Sequence, residues 1–523
     1  MKKIVIAISI ILLTLITGQI YSRAADDYYP DDTWLTSSPE AQGMNSEYLT
    51  RMLNSIKSSE IHSVIIIRHG YLVLEAYSEP FGRDELHILK SCSKSVTSAL
   101  IGIAVREGYI KSVDQKVVDI LSNLYIINNL DDKKQAVTIE HLLTMSSGIK
   151  QQEIINKFPD EYLRAWNFNQ YYLDQPMVAW PGQVFHYDSA GVNLLMAILQ
   201  ATSGMDNSDF ADKFLFKPIG ITNYYWQKDN QGNYTGGWGL AMTPMDMARF
   251  GYLYLKKGSW EGSHVIPADW VSVSMSNHIK PPSWVSKDKG YGYLWWELSF
   301  GGFTAVGYGG QYIMVMPERD MVVVFTSGFS PKNEGLPLKL TADYINKSIV
   351  SDTAISEDEM KQEALTSAIL NFGNSSESDN EVIIPEIEQE ISGKSYFLES
   401  NPWDLGFITL TFSNAGECTF EEYGPRWWSF DWHFKIPVGL DGKYREDSFN
   451  SYSDLYQKHM AHGKWINNNT FVIELYEPWS SGSKVQYTME FNENNLKMTV
   501  NFPYGEGQQQ FTGVCHAAQK LDN

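Results

Sequence analysis

The 523-residue sequence is short of cysteine, of positive charge and of long apolar runs. Three cysteines cannot form a disulfide framework. Cys92 is expected to pack, and Cys418 and Cys515, in strand-like segments far downstream, would have the option of pairing in an exported protein. Basic side chains number 41 against 62 acidic ones, a formal charge of -21. That balance excludes nucleic acid and anionic membrane surfaces as partners, since both demand basic patches. No Cys-x-x-Cys occurs, and His62, His69 and His141 have no metal-ligand spacing, so neither metal nor other cofactor is expected. A Gly-x-Ser-x-Gly nucleophile elbow is missing too, as is any repeat regular enough for a propeller or solenoid. The one sustained apolar run, Ile4 to Ile16, follows Lys2 and Lys3 and precedes Ser22-Arg23-Ala24. This reads as a signal peptide over 1–24, giving an exported, periplasmic or extracellular protein. The run is short for a bilayer span, so membrane attachment would require an uncleaved signal. No nearby cysteine supports a lipid anchor, and no later stretch is apolar enough to cross a membrane.

What is present is a well-cored chain, 43% apolar and 13% aromatic, long enough for two or three domains. SEYLTRMLNSIK has the period of an amphipathic helix. HSVIIIRHGYLVLEAYS is two β-rich runs broken by Arg68-His69-Gly70, a hairpin signal. Residues 110–200 are mostly helical, with Thr138 capping a short helix through His141 to Leu143. Thr243-Pro244 opens a strong helix that Gly258 ends. YGYLWWEL, FTAVGYGGQYIMVMP and DMVVVFTSG are strand-like, the last two joined across Pro317–Asp320, and LKLTADYINKSIV closes the unit as a helix. Residues 26–350 therefore form an α+β domain, an antiparallel sheet flanked by helices beside a helical subdomain. Residues 351–382 turn acidic and polar and read as a linker. Residues 383–523 alternate aromatic and polar positions, an all-β domain of sandwich or barrel type.

Ser91-Cys92-Ser93-Lys94 precedes the apolar-periodic run SVTSALIGIAV. Residues three apart share a helix face, so Lys94 Nζ is within reach of Ser91 Oγ. A serine hydroxyl becomes a nucleophile only when a neighbouring base accepts its proton, and a lysine serves when burial disfavours its charge. Tyr187-Asp188-Ser189, between the Trp180-Pro181-Gly182 turn and a helix start, offers a second proton-handling group. Gly307-Tyr308-Gly309-Gly310-Gln311 lets substrate approach backbone closely, and its Gln311 N–H with that of Ser91 would make an oxyanion hole. A glycine bulge is the plainer reading of that segment. His87 is expected to be structural, and Trp238, Trp295 and Trp296 are expected in the core or along the cleft.

In this order, Ser-x-x-Lys, Tyr-x-Ser and the glycine-rich motif resemble the serine β-lactamase and penicillin-binding superfamily, over roughly residues 35–350. SKSVTSALIGIAV, TIEHLLTMSSGI, TPMDMARFG and GGQYIMVMPERDMVVV extend the resemblance. The chain is most similar to the branch of class C β-lactamases, D-aminopeptidases, carboxylesterases and nylon-oligomer hydrolases. The resemblance implies a covalent acyl-enzyme with Ser91 as nucleophile, Lys94 as proton acceptor and Tyr187 as second acid/base, and no metal. Ser189 stands where penicillin-recognising members often carry Asn. Tyr308 stands where β-lactamases carry the Lys of Lys-Thr-Gly, and a tyrosine supplies a hydrogen bond but no positive charge for a substrate carboxylate. The expected activity is therefore hydrolysis of an ester or amide, on a small molecule or peptide. β-Lactamase, D-alanyl-D-alanine carboxypeptidase or D-aminopeptidase activity is one alternative, and a non-hydrolytic peptide or cell-wall sensor another. The C-terminal domain resembles the lipocalin-like domains appended to some members.

Overall fold

The computed structural model describes residues 28–31, 33–150, 160–163, 165–283, 290–373, 384–401, 405–413, 416–427, 430–448, 458–477, 483–492, 494–501 and 508–515. The signal segment expected over 1–24 lies outside the described residues. Among those described, no helix is long and apolar enough to cross a membrane.

The first domain is built on a six-stranded antiparallel sheet. Its order is Tyr71–Tyr77, Ile61–Arg68, Met321–Ser327, Gln311–Met316, Phe303–Gly307 and Trp296–Glu297. The expected hairpin at Arg68-His69-Gly70 forms, with His69 and Gly70 both in the left-handed region at φ 50° and 82°. Strand period places successive side chains on opposite faces, and both faces here are covered. Ile65, Ile67, Val322 and Val324 pack into one core with the Ser93–Arg106 helix. Val64, Ile66, Val323 and Phe325 pack into a second core with the Ser46–Ser55 helix. This is why the strands are continuous apolar runs rather than alternating ones. The helical subdomain lies on the first side, and its Ile139–Leu143 helix carries the expected cap, a reciprocal box between Thr138 and His141. YGYLWWEL yields only the two-residue strand Trp296–Glu297, and Trp295 before it is buried against Phe250 and Tyr254.

The segment read as a linker is partly a folded element. Glu359–Leu370 is a helix capped by Asp358, and Leu365, Ala368 and Phe372 are buried in the second core. The acidic composition of 351–360 hid three apolar residues whose spacing is helical. Residues 374–383 lie outside the described residues.

The C-terminal domain is an antiparallel meander that closes on itself, a barrel rather than a sandwich. Ser395–Leu398 pairs with Gln508–Val514, and Phe430–Gly439 meets Lys458–Trp465 at Gly439 and His462. The short strand Arg445–Ser448 hangs on the rim. Phe471, Ile473 and Leu475 fill the interior while Glu474 and Tyr476 point outward, as the two-residue period requires. Cys418 is buried, and no disulfide joins it to Cys515. The outward face docks on the first domain. Lys458 Nζ lies 2.7 and 2.8 Å from the Glu85 carboxylate oxygens and 2.9 Å from Glu446, while Phe81, Met460 and Tyr476 bury one another.

Candidate functional site

Ser91 sits in a tight turn, Lys90–Cys92, and the regular helix begins at Ser93. The three-residue spacing still works, because turn and helix are continuous: Lys94 Nζ lies 2.9 Å from Ser91 Oγ. Lys94 is almost fully buried and makes a second bond, 2.6 Å long, to the Gly237 carbonyl. The preceding backbone is unusual, with Lys90 left-handed at φ 49°. Segment 236–242 runs alongside and fixes this entry. Leu89 N donates to Leu240 O at 2.8 Å, Leu240 N to Ser93 Oγ at 3.2 Å, and Thr97 Oγ1 to Gly236 O at 3.0 Å.

Tyr187 comes to the same place. Lys94 Nζ lies 4.8 Å from its ring centroid, and Trp296 stacks on its other surroundings at 6.0 Å and 24°. The next residue, Asp188, caps the Ser189–Ser203 helix through Gly191 N at 3.0 Å. Its second oxygen accepts a short hydrogen bond from the Tyr172 hydroxyl, which also meets Ser147 Oγ at 2.9 Å. Burial and the Asp188 charge push the Tyr172 phenol well up, so it stays protonated and donates. Ser189 is buried at the first turn of the helix, against Gly237: a Cβ there would lie 2.8 Å from Ser189 O.

Tyr308–Gly310, the middle of the glycine motif, is the turn of a hairpin whose strands end at Gly307 and Gln311. Phe303–Gly307 and Gln311–Met316 flank it, and Gly309 and Gly310 have φ 80° and 91°, which two consecutive β-carbon-bearing residues would strain to adopt. Gly307 backs onto the segment that leads into Ser91, where a Cβ would lie 2.2 Å from Leu89 O. Cys92 Sγ donates to Gln311 O at 3.3 Å, so residues 89–92 lie along 307–311. The Gln311 side chain turns to Ser327, accepting from its N–H at 3.3 Å, which leaves only its backbone for any role toward substrate. Tyr308 is half-buried, its phenol pushed up to about 12 by burial and by the Glu334 charge. Trp238 packs its ring against Tyr162 and Phe168, and Trp295 is core. His87 is buried and stacks near Phe81 and His62.

A family model described as Beta-lactamase matches residues 62–343, more than half of the chain. The chain belongs to the β-lactamase family. An uncharacterized protein of Alkalihalophilus pseudofirmus is 23% identical over 342 residues, 55% of this chain and 92% of that protein. The 6-aminohexanoate-dimer hydrolase of Paenarthrobacter ureafaciens is 21% identical over 296 residues, 51% of this chain and 72% of that enzyme. Among solved structures, a Bacillus anthracis protein described as a candidate 6-aminohexanoate-dimer hydrolase shares the fold. Its TM-score is 0.51 at 20% identity, covering 60% of this chain and 87% of that one.

In this β-lactamase-family chain, Lys94 meets Ser91 and Tyr187, Gly237 links Lys94 to Ser189, and the 307–311 hairpin lies along residues 89–92. The partners that hold these residues were not read from the sequence. Gly237 presents its carbonyl to Lys94 while its N–H is held by Asn193 Oδ1 at 2.9 Å, and the Gly236-Gly237 pair was the available signal. Glu334 accepts from Gly309 N at 3.1 Å through its carboxylate and from Tyr312 Oη at 3.0 Å through its carbonyl, with no motif to mark it. Lys134, also buried, donates to the carbonyls of Asn128, Leu173 and Gln175 at 2.7, 2.7 and 2.8 Å.

Proposed function

We propose that the chain is a serine hydrolase that cleaves an ester or amide through an acyl-enzyme on Ser91. The β-lactamase family membership and the hydrolase relative support hydrolysis in general. The observation that carries the finer reading is the 2.9 Å hydrogen bond between Ser91 Oγ and a buried Lys94. Ser91 Oγ attacks the substrate carbonyl carbon as its proton passes to Lys94, with Gly237 O holding the lysine in line. Backbone N–H groups of Ser91 and Gln311 receive the developing oxyanion. Tyr187, beside Lys94, carries a proton to the leaving alkoxide or amine, and the same groups activate water for deacylation. Ser189 lines the Lys94 side of the site. Substrates of this reading are small esters, amides or short peptides, met outside the cytoplasm if the leader directs export.

A fluorophosphonate probe should label Ser91 in folded protein, and Ser91→Ala should abolish turnover of a short-chain nitrophenyl ester without altering the melting temperature. Absence of labelling would sink the proposal. A stable adduct without release would favour a sensor over an enzyme. Faster hydrolysis of a chromogenic cephalosporin than of the ester would move the assignment to β-lactam chemistry.

A further inference from the structure

The Tyr308–Gly310 turn forms one wall beside Ser91, since residues 89–92 lie along 307–311. Any acyl group on Ser91 therefore lies near this turn. Behind it stands Glu334, half-buried, its Oε1 fixed by Gly309 N at 3.1 Å. Burial raises the Glu334 carboxyl and the Gly309 N–H lowers it, and among the described residues no cation pairs with it. Its charge reaches Tyr308, adding to the upward push on that phenol. An uncompensated carboxylate in a partly dry wall projects a negative field into the space in front of it. Tyr308 has no charge to cancel that field.

We infer that Glu334 is a specificity-determining residue that disfavours substrates bearing an anionic group on the acyl portion and favours uncharged or ammonium-bearing ones. This rests on the hydrolase reading above. The carboxylate does not touch the reacting atoms. It acts through space, and it also holds the turn through Gly309 N.

Three nitrophenyl esters of matched length, too long to close on themselves, test it: heptanoate, 7-aminoheptanoate and the pimelate half-ester, assayed at about pH 8, where a carboxyl is ionised. For the wild type, kcat/KM should be highest for the ammonium ester and lowest for the anionic one. Glu334→Gln keeps an oxygen acceptor for Gly309 N and removes the charge. It should compress the ammonium-to-anion ratio about tenfold, the scale of one charge acting across a partly screened wall. A purely structural role would lower all three rates together and leave that ratio unchanged, and such a result overturns the inference. So does a wild type that prefers the pimelate half-ester. If the wild type turns over none of the three and Ser91 takes no probe, the hydrolase reading falls and this inference with it. Turnover of all three with an unmoved ratio refutes the Glu334 role alone.

Discussion

Burying an imidazole without a full set of partners makes folding sensitive to acid, and His87 is placed to show it. Its ring is buried at the foot of the barrel contact, 5.2 Å from Phe81 and 5.6 Å from His62, and its Nε2 has no hydrogen-bond partner. Burial lowers it from the ordinary 6.5 to about 3. The unfolded chain therefore binds a proton near pH 6.5 that the folded protein refuses until about pH 3. Stability from this group is complete above pH 6.5 and is lost as the pH falls between those values. At pH 4 the fall covers 2.5 of those units (6.5 minus 4), which at about 1.4 kcal/mol each is about 3 kcal/mol. His87→Leu keeps an apolar group of similar size and removes the proton site. Urea unfolding followed by tryptophan fluorescence should put the two proteins within about 1.5 kcal/mol of each other at pH 7.5. At pH 4 the variant should have gained about 3 kcal/mol relative to the wild type. Parallel pH curves for the two proteins would refute the reasoning, whatever their absolute stabilities.

Gly237→Ala would force a Cβ to within 2.8 Å of Ser189 O and 3.2 Å of Asn193 Oδ1, moving the carbonyl that holds Lys94. Ester turnover should fall on the order of 100-fold, as for a small misplacement of catalytic groups, with circular dichroism unchanged. Lys134→Met leaves the Leu173 carbonyl, buried, and the part-buried Asn128 and Gln175 carbonyls without their ammonium donor, and calorimetry should register a loss of about 3 kcal/mol. Phe81→Ala empties the contact with Met460 and Tyr476, costing about 3 kcal/mol of packing. Its readout is limited proteolysis, which should release the barrel from the first domain sooner than in the wild type, and unchanged cleavage kinetics would contradict a docking role for Phe81.

Elements that carry their own boundary chemistry were legible in the sequence. The hairpin at Arg68-His69-Gly70 announced itself by a left-handed glycine between two apolar runs, and the Pro244–Leu255 helix by Thr243 and a first-turn proline. Glu359–Leu370 was not legible, because its buried side is only Leu365 and Ala368, and the acidic run Ser356–Glu359 at its start outweighed spacing. Closure of the barrel was equally hidden. The strand pattern of a meander is the same whether its ends meet or not, and the seam rests on one backbone pairing, Gly439 with His462.

The site divides in the same way. Ser91 and Lys94 were readable because the contact between them is local, set by helical spacing. Tyr187 and the Tyr308 turn needed the order of motifs along the chain. Gly237 acts through its backbone carbonyl and Glu334 by accepting from the Gly309 N–H, so the first is marked only by the Gly236-Gly237 pair and the second by no side-chain pattern at all. That difference bears on function. Under the proposed function, the Ser91–Lys94 pair specifies what kind of bond is cleaved, whereas Glu334 and Tyr308 bear on which acyl groups are admitted. On the reading proposed above, substrate choice would rest on residues whose roles exist only once the fold has brought Glu334 against the 308 turn, and it would change through Glu334 while Ser91, Lys94 and Tyr187 stay as they are.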